Sequence, residues 1–484
     1  MQRRRFLGVS AAALAGTQFI RGGSAARADD AEGEDFADLR WGKLALPPST
    51  PGYDPAGDAK TLIAATVASP APNPIPGVQL LGSYAPGQRF VLRVPSNWNG
   101  RLVVAGTPAF RSEFANDAIW GDFVMTRGYA FASSNKGIAF SSGIEKIAAS
   151  DSPGSIYPIP FDLFSLESEK IAIRLGALTP AKTSLAAWND DLVTLIKVAK
   201  QYLVAHRHLP SHVYAVGYSN GGSQVRSLLE RHPDLVDGGV DWSGVYWSPQ
   251  RSLLDYLPPF LKAMPAYVAS GFNDAQAAAA IEAAGFPTDR KQSTDGHQSL
   301  WFEYYAGQPS FYADLTLFAY ALLIDPEATA SIAAGGCTPD AKNPAGLPGT
   351  CAGTGLATPG ARAAYVPSQA ARNAIRGFAH SGDIGRPLLS IAGSADAFVT
   401  PHNNATAYLA AIKRAGKGNL CIQYLVDGGT HVDPLVDFGY GLRAQAPFAW
   451  AAFDQLAAVV ERGVQAPGAG TQRIVTAPTD IVSR

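Results

Sequence analysis

The feature that most constrains this chain is a serine bracketed by glycines, Gly217-Tyr218-Ser219-Asn220-Gly221, set between an apolar run and a helical pattern. Upstream, Val213-Tyr214-Ala215-Val216 reads as a buried strand; downstream, Gln224 to Arg231 reads as helix. A chain passing from strand to helix within so few residues must turn sharply, and the crowding leaves room only for small residues two before and two after the apex. Such a turn exposes the apex hydroxyl and aims the first amides of the helix at it. A serine hydroxyl is a weak nucleophile at neutral pH, so it also needs a base to take its proton and donors for the developing oxyanion. Ser219 is therefore the candidate nucleophile. The alternative is a glycine-rich turn with a solvent-facing serine.

The same alternation extends along the chain. Phe90–Val94, Leu102–Ala105, Tyr129–Ala132, Val236–Trp242, Pro387–Gly393 and Cys421–Val426 read as short apolar strands. Leu192, Leu195, Ile196, Ala199, Tyr202 and Leu203 fall on one helical face, and helices are also predicted over 403–414 and 447–462. Strands alternating with helices predict an α/β fold, a mainly parallel sheet with helices on both faces. Residues 29–84, rich in Pro, Ala and Gly, read as an irregular N-terminal arm, and 85–244 as the first part of the core. Residues 245–373 break the rhythm and concentrate aromatics, among them Trp247, Tyr256, Phe260, Trp301 and Tyr320. They read as an inserted lid or cap domain, the alternative being extra helices packed on the core with no role at the site. Residues 374–484 resume the core, with loop after Gly463.

A base and an acid should lie at the ends of later strands. Among the eight histidines, His431 alone follows a strand and then a Gly-Gly loop, in Asp427-Gly428-Gly429-Thr430-His431. His206, His212 and His232 lie close to the turn in sequence and read as surface residues. Asp396, after the Leu388–Ala392 strand, is the candidate acid that holds the imidazole in the proton-accepting tautomer. Its rival is Asp241, at the end of the strand before; Asp427 and Asp433 sit too near His431 to orient its ring. For the oxyanion, the amide of Asn220 is one expected donor. The second should come from the loop after Leu102–Ala105, where Pro108 has no N–H and leaves Thr107 or Ala109.

Bulk properties narrow the class further. A net charge of -1 gives no basic footprint for nucleic acid, and 47% hydrophobic residues supply a large core. Arg3-Arg4-Arg5-Phe6-Leu7, an apolar stretch to Ile20 and Ala26-Arg27-Ala28 read as a twin-arginine signal over 1–28. That stretch is too short and too broken by glycine to span a bilayer. The expected location is periplasmic or secreted, reached through the twin-arginine export machinery. Of three cysteines, Cys337 and Cys351 lie close together in a Pro/Gly-rich segment. Outside the cytoplasm they are expected to pair, which would contribute about 3 kcal/mol on the chain-entropy model. Cys421 reads as a buried free thiol. No Cys/His cluster has zinc spacing.

With these contexts, Ser219, Asp396 and His431 resemble the Ser…Asp…His order of an α/β-hydrolase. Pro95-Ser96-Asn97-Trp98-Asn99-Gly100-Arg101-Leu102-Val103-Val104 and Gly128-Tyr129-Ala130-Phe131-Ala132-Ser133-Ser134 are similar to exported tannase/feruloyl-esterase-like and polyhydroxyalkanoate-depolymerase-like esterases. The similarity covers about residues 85–245 and 385–460. It implies hydrolysis of a phenolic or hydroxyacid ester through an acyl-enzyme, with no metal or organic cofactor. The His-Gly pair frequent in such enzymes after the Leu102–Ala105 strand is absent here. Two other readings share the residue order: a serine peptidase of the prolyl-oligopeptidase type, and a binding protein on a hydrolase fold.

Overall fold

The computed structural model describes residues 40–46, 63–136, 184–288, 311–328 and 362–481, apart from 65, 74, 86–87, 110, 112, 432, 439–440 and 464–468. Residues 1–28, expected to be a signal, Trp301 and the expected Cys337–Cys351 bridge lie outside them. One sheet of ten strands organises the molecule, in the order β1-β2-β3-β5-β4-β6-β7-β8-β9-β10. Its strands are β1 (Arg40–Leu46), β2 (Ile75–Ala85), β3 (Gln88–Pro95), β4 (Arg101–Gly106), β5 (Ala130–Ser134), β6 (His212–Tyr218), β7 (Gly238–Trp242), β8 (Leu388–Gly393), β9 (Cys421–Val426) and β10 (Gln472–Val475). From β5 through β10 every pairing is parallel; β1, β2 and β3 join antiparallel at one edge.

The central strands are apolar on both sides because both sides are covered. In β4, Val103 and Ala105 enter one core cluster, while Leu102 and Val104 enter the other. In β6, Tyr214 and Val216 face the first cluster, and Val213 and Ala215 the second. The second is closed by α1 (Leu185–His206), α2 (Asn220–Arg231) and α7 (Ala407–Arg414), through Leu195, Ile196, Val225, Leu229 and Ile412. The first is closed by α8 (Ala446–Arg462) through Phe453 and Leu456, and by a π-turn and short helix over Asp117–Thr126 through Trp120 and Phe123. Full burial of each such side chain is worth roughly 1.5–3 kcal/mol.

Between β7 and β8 the chain leaves the sheet and builds α3 (Leu253–Ala269), α4 (Ala275–Ala283), α5 (Phe311–Ile324) and α6 (Gln369–Phe378). Two expectations need correction. The N-terminal arm is not wholly irregular, since β1 and β2 extend the sheet; Pro76, Gly77 and Gly82 within β2 hide it from a pattern reading. The tail after Gly463 is not wholly loop either. Its β10 pairs parallel with β9, although only Val475 of its side chains is buried, so no apolar alternation announces it.

Candidate active site

Ser219 sits at the apex of the turn from β6 into α2, with φ 57 and ψ -117. Positive φ is uncommon for a residue with a side chain and marks strain held by its surroundings. The holding bonds run from Ser219 N–H to Trp242 O (2.9 Å) and from Ser223 N–H to Ser219 O (3.1 Å). A Cβ on Gly217 would lie 2.2 Å from Gly221 O, and one on Gly221 would lie 2.0 Å from Gly106 O. The glycines are required because the turn packs its backbone directly on itself and on the end of β4.

The loops after β8 and β9 bring Asp396 and His431 to this apex. His431 Nε2 lies 3.1 Å from Ser219 Oγ, and His431 Nδ1 lies 2.8 Å from Asp396 Oδ2. With Nδ1–H donated to the carboxylate, Nε2 is left to accept the serine proton. Asp396 is fixed in turn, its Oδ1 accepting from the amides of Phe398 (2.9 Å) and Val399 (2.8 Å). Tyr218 and Phe398 flank the imidazole, with ring centroids at 5.0 and 5.7 Å. Ser219 and His431 are only 7% and 4% exposed, so the relay is screened from bulk water.

The rival acid is engaged elsewhere. Asp241 pairs with Arg226 at 2.7 Å, both side chains fully buried, and also accepts from Ser390 Oγ (3.0 Å) and Gly244 N–H (2.9 Å). Asp433 faces the start of α8, where it accepts from the amides of Gln445 (2.6 Å) and Ala446 (2.8 Å). Burial pushes its carboxyl up to about 7, against the pull of those two amides. His380 lies behind α2. Its Nδ1 accepts from Trp247 N–H (3.2 Å) and its Nε2 meets Ser223 O (3.0 Å), and burial lowers it to about 4. Cys421 is a buried free thiol, pushed up to about 12 by burial.

Asn220 is the first residue of α2, so its amide has no acceptor within the helix. Thr107 does not serve as expected. Its N–H donates to Gln224 Oε1 at 3.1 Å and its hydroxyl donates to Ser134 O, so neither donor is free for an oxyanion. Ala109, the other residue left open by Pro108, takes φ 38. A further contact was not legible in the sequence: Asn220 Nδ2 donates to the hydroxyl of Tyr320 on α5, which brings the β7–β8 insertion onto the turn itself. A cavity of about 430 Å³, lined by Glu282, Phe286, Ser394, Asp396, Thr400 and His402, reaches the acid but is not lined by Ser219 or His431. Among the described residues, no group of His, Cys, Asp and Glu could hold a metal ion, and no helix is long and apolar enough to cross a membrane.

No protein-family model and no curated protein matches the sequence. Solved structures do. An esterase from Aspergillus oryzae aligns with a TM-score of 0.50 at 12% identity, over 90% of this chain and 89% of that one. Tannin acyl hydrolase from Aspergillus niger aligns at 0.43 and 13% identity, over 89% and 83%. Pyrococcus horikoshii acylaminoacyl peptidase aligns at 0.34 and 12% identity, over 78% of this chain and 40% of that one. At such identities a likeness speaks for fold alone, and only the first is close enough to carry weight. With the parallel sheet and its strand order, it gives this chain the α/β-hydrolase fold.

Proposed function

We propose that this α/β-hydrolase-fold chain is a serine hydrolase that cleaves carboxylic esters through an acyl-enzyme. The observation that carries this reading is the unbroken relay from Ser219 Oγ through His431 to Asp396, at 3.1 and 2.8 Å. In the first half-reaction, Ser219 Oγ attacks the ester carbonyl while His431 Nε2 takes its proton. Asp396 stabilises the imidazolium and itself stays unprotonated. The carbonyl oxygen becomes an oxyanion, held by the Asn220 amide and a second amide from the loop after β4. Collapse breaks the ester C–O bond as His431 protonates the departing alcohol. In the second half-reaction water, deprotonated by His431, attacks the acyl-enzyme; collapse breaks the acyl–Ser219 bond, His431 returns the proton to Ser219 Oγ, and the acid leaves.

A phenolic or hydroxyacid ester is the proposed substrate class. The sequence resemblance supports that class, and the esterase name of the Aspergillus oryzae structure supports ester cleavage in general. The segment between β7 and β8 is read as a lid over the serine. The low exposure of Ser219 and the contact of Tyr320 with Asn220 support that reading. Residues 1–28 are read as the export signal, giving a mature chain from Asp29.

The test is a panel of p-nitrophenyl esters and peptide p-nitroanilides on the mature chain. Ester turnover that disappears in Ser219→Ala, along with labelling by a fluorophosphonate, is the expected result. Turnover of anilides alone would make the chain a peptidase. Absence of both turnover and labelling would leave a binding protein on a hydrolase fold. Tyr320→Ala is expected to change the preference between aryl and alkyl esters; an unchanged preference would remove the lid's role in selection.

A further inference from the structure

Lys136 stands just past the end of β5, with φ 61, and is 1% exposed. The sheet order sets β5 beside β4 and parallel to it, so the exits of the two strands are neighbours. From there Lys136 Nζ donates to two main-chain carbonyls of the loop after β4: Thr107 O at 2.7 Å, and Ala109 O. The ammonium also lies 4.3 Å from the centroid of the Trp188 ring on α1. Taking a lysine head group out of water is costly. Here burial drives its pKa well below the ordinary lysine range, with Asp191 opposing.

The geometry says what that cost achieves. The carbonyl of Thr107 belongs to the peptide leading into Pro108, and that of Ala109 to the peptide leaving Ala109. The peptide between them carries the N–H of Ala109. Peptide units are planar, so holding both neighbours restricts the orientation of the one between. Thr107 is also held from the other side, its N–H donating to Gln224 Oε1 at 3.1 Å. Gln224 Nε2 donates to Trp188 O at 2.5 Å, so the residue whose ring lies against Lys136 also anchors Gln224. The bond to Ala109 O further supports a backbone conformation, φ 38, that alanine rarely adopts.

We infer that Lys136 is a positioning residue for the oxyanion site: by gripping the carbonyls of Thr107 and Ala109 it fixes the Ala109 amide as the second donor. The inference rests on the ester-hydrolase reading. Lys136 touches no reacting atom; it acts through a loop whose donor is needed in the transition state more than in the substrate complex.

The test is Lys136→Met in the mature chain, which keeps the apolar stem and removes the donors. Fluorophosphonate titration counts the Ser219 sites that remain folded. Per titrated site, kcat should fall by about 10²-fold, the loss typical of one oxyanion donor, while KM changes by less than about threefold. Wild-type kcat per titrated site would overturn the proposal. So would a loss of activity that merely follows the loss of titratable sites. If the Met variant does not fold, Lys136→Arg decides: its donors sit farther out, so a folded variant should lose kcat with KM held, and wild-type constants would overturn the idea. If neither variant folds, Lys136 is structural and the proposal falls. Failure of the hydrolase reading shows differently, because the wild-type chain itself would then neither titrate nor turn over esters, and both proposals would be overturned together.

Discussion

At the scale of single residues, the site depends on two kinds of constraint, steric and directional. The steric one is at Gly217, where any side chain would meet the backbone of Gly221 at 2.2 Å. Gly217→Ala is expected to cost about 1–3 kcal/mol, as overpacking does, and to lower turnover by moving Ser219; equal urea midpoints for variant and parent would refute this. The directional constraint is at Asp396. One oxygen receives His431 and the other receives two amides, so the ring is held in one tautomer. Asp396→Asn leaves the shape nearly intact but offers an NH₂ where an acceptor is needed. Steady-state kinetics should show kcat lower by roughly 10³–10⁴-fold with a melting temperature close to the parent's.

At the scale of elements, the strands and helices carry polar ties that the hydrophobic pattern does not record. Arg226 on α2 and Asp241 on β7 form a fully buried pair, reinforced by Ser390 on β8 and by the Tyr408 ring 4.3 Å from the guanidinium carbon. Removing one charge leaves the other uncompensated, so Asp241→Asn should cost about 3–5 kcal/mol in chemical denaturation. Asp241 has no part in the relay, so kcat per titratable Ser219 should stay near the parent value. A kcat loss as deep as that of Asp396→Asn would reinstate it as the acid. The central strands and α1, α2 and α8 were legible because they bury regular apolar faces. α3 was not, since Pro258, Pro259 and Pro265 lie inside it and a helix interior disfavours proline. Packing of Leu254, Phe260 and Met264 into the core overrides that local preference.

At the scale of the whole molecule, two buried groups give stability opposite dependences on pH. His380 is lowered from 6.5 to about 4, chiefly by burial, with Arg226 and Arg231 adding and Glu230 opposing. Between those values the unfolded chain binds more protons, so this contribution makes stability rise with pH. Asp433 is raised from 3.8 to about 7, chiefly by burial, with Asp437 adding to it. Over that window the folded chain binds more protons, so this contribution makes stability fall as pH rises. Removing one leaves the other. Melting temperatures measured across about pH 4.5–6.5 should climb more steeply with pH in Asp433→Asn than in the parent, and less steeply in His380→Asn. Parallel curves for all three proteins would show that neither group titrates as its surroundings imply.

The sequence by itself determined the sheet's central strands, the turn at Ser219 and the order of serine, aspartate and histidine. Those features are written in short-range periodicity and in glycine spacing, which act over a few residues. For the aspartates, the sequence preferred Asp396 to Asp241 by position alone, and the tertiary structure adds the contacts: His431 lies against Asp396, and Arg226 lies against Asp241. It also withdrew Thr107 as an oxyanion donor and brought Lys136 and Tyr320 to the site. These are contacts between residues distant in sequence, governed by where strands lie side by side and by which polar groups find partners once water has been excluded. No local pattern along the chain encodes them.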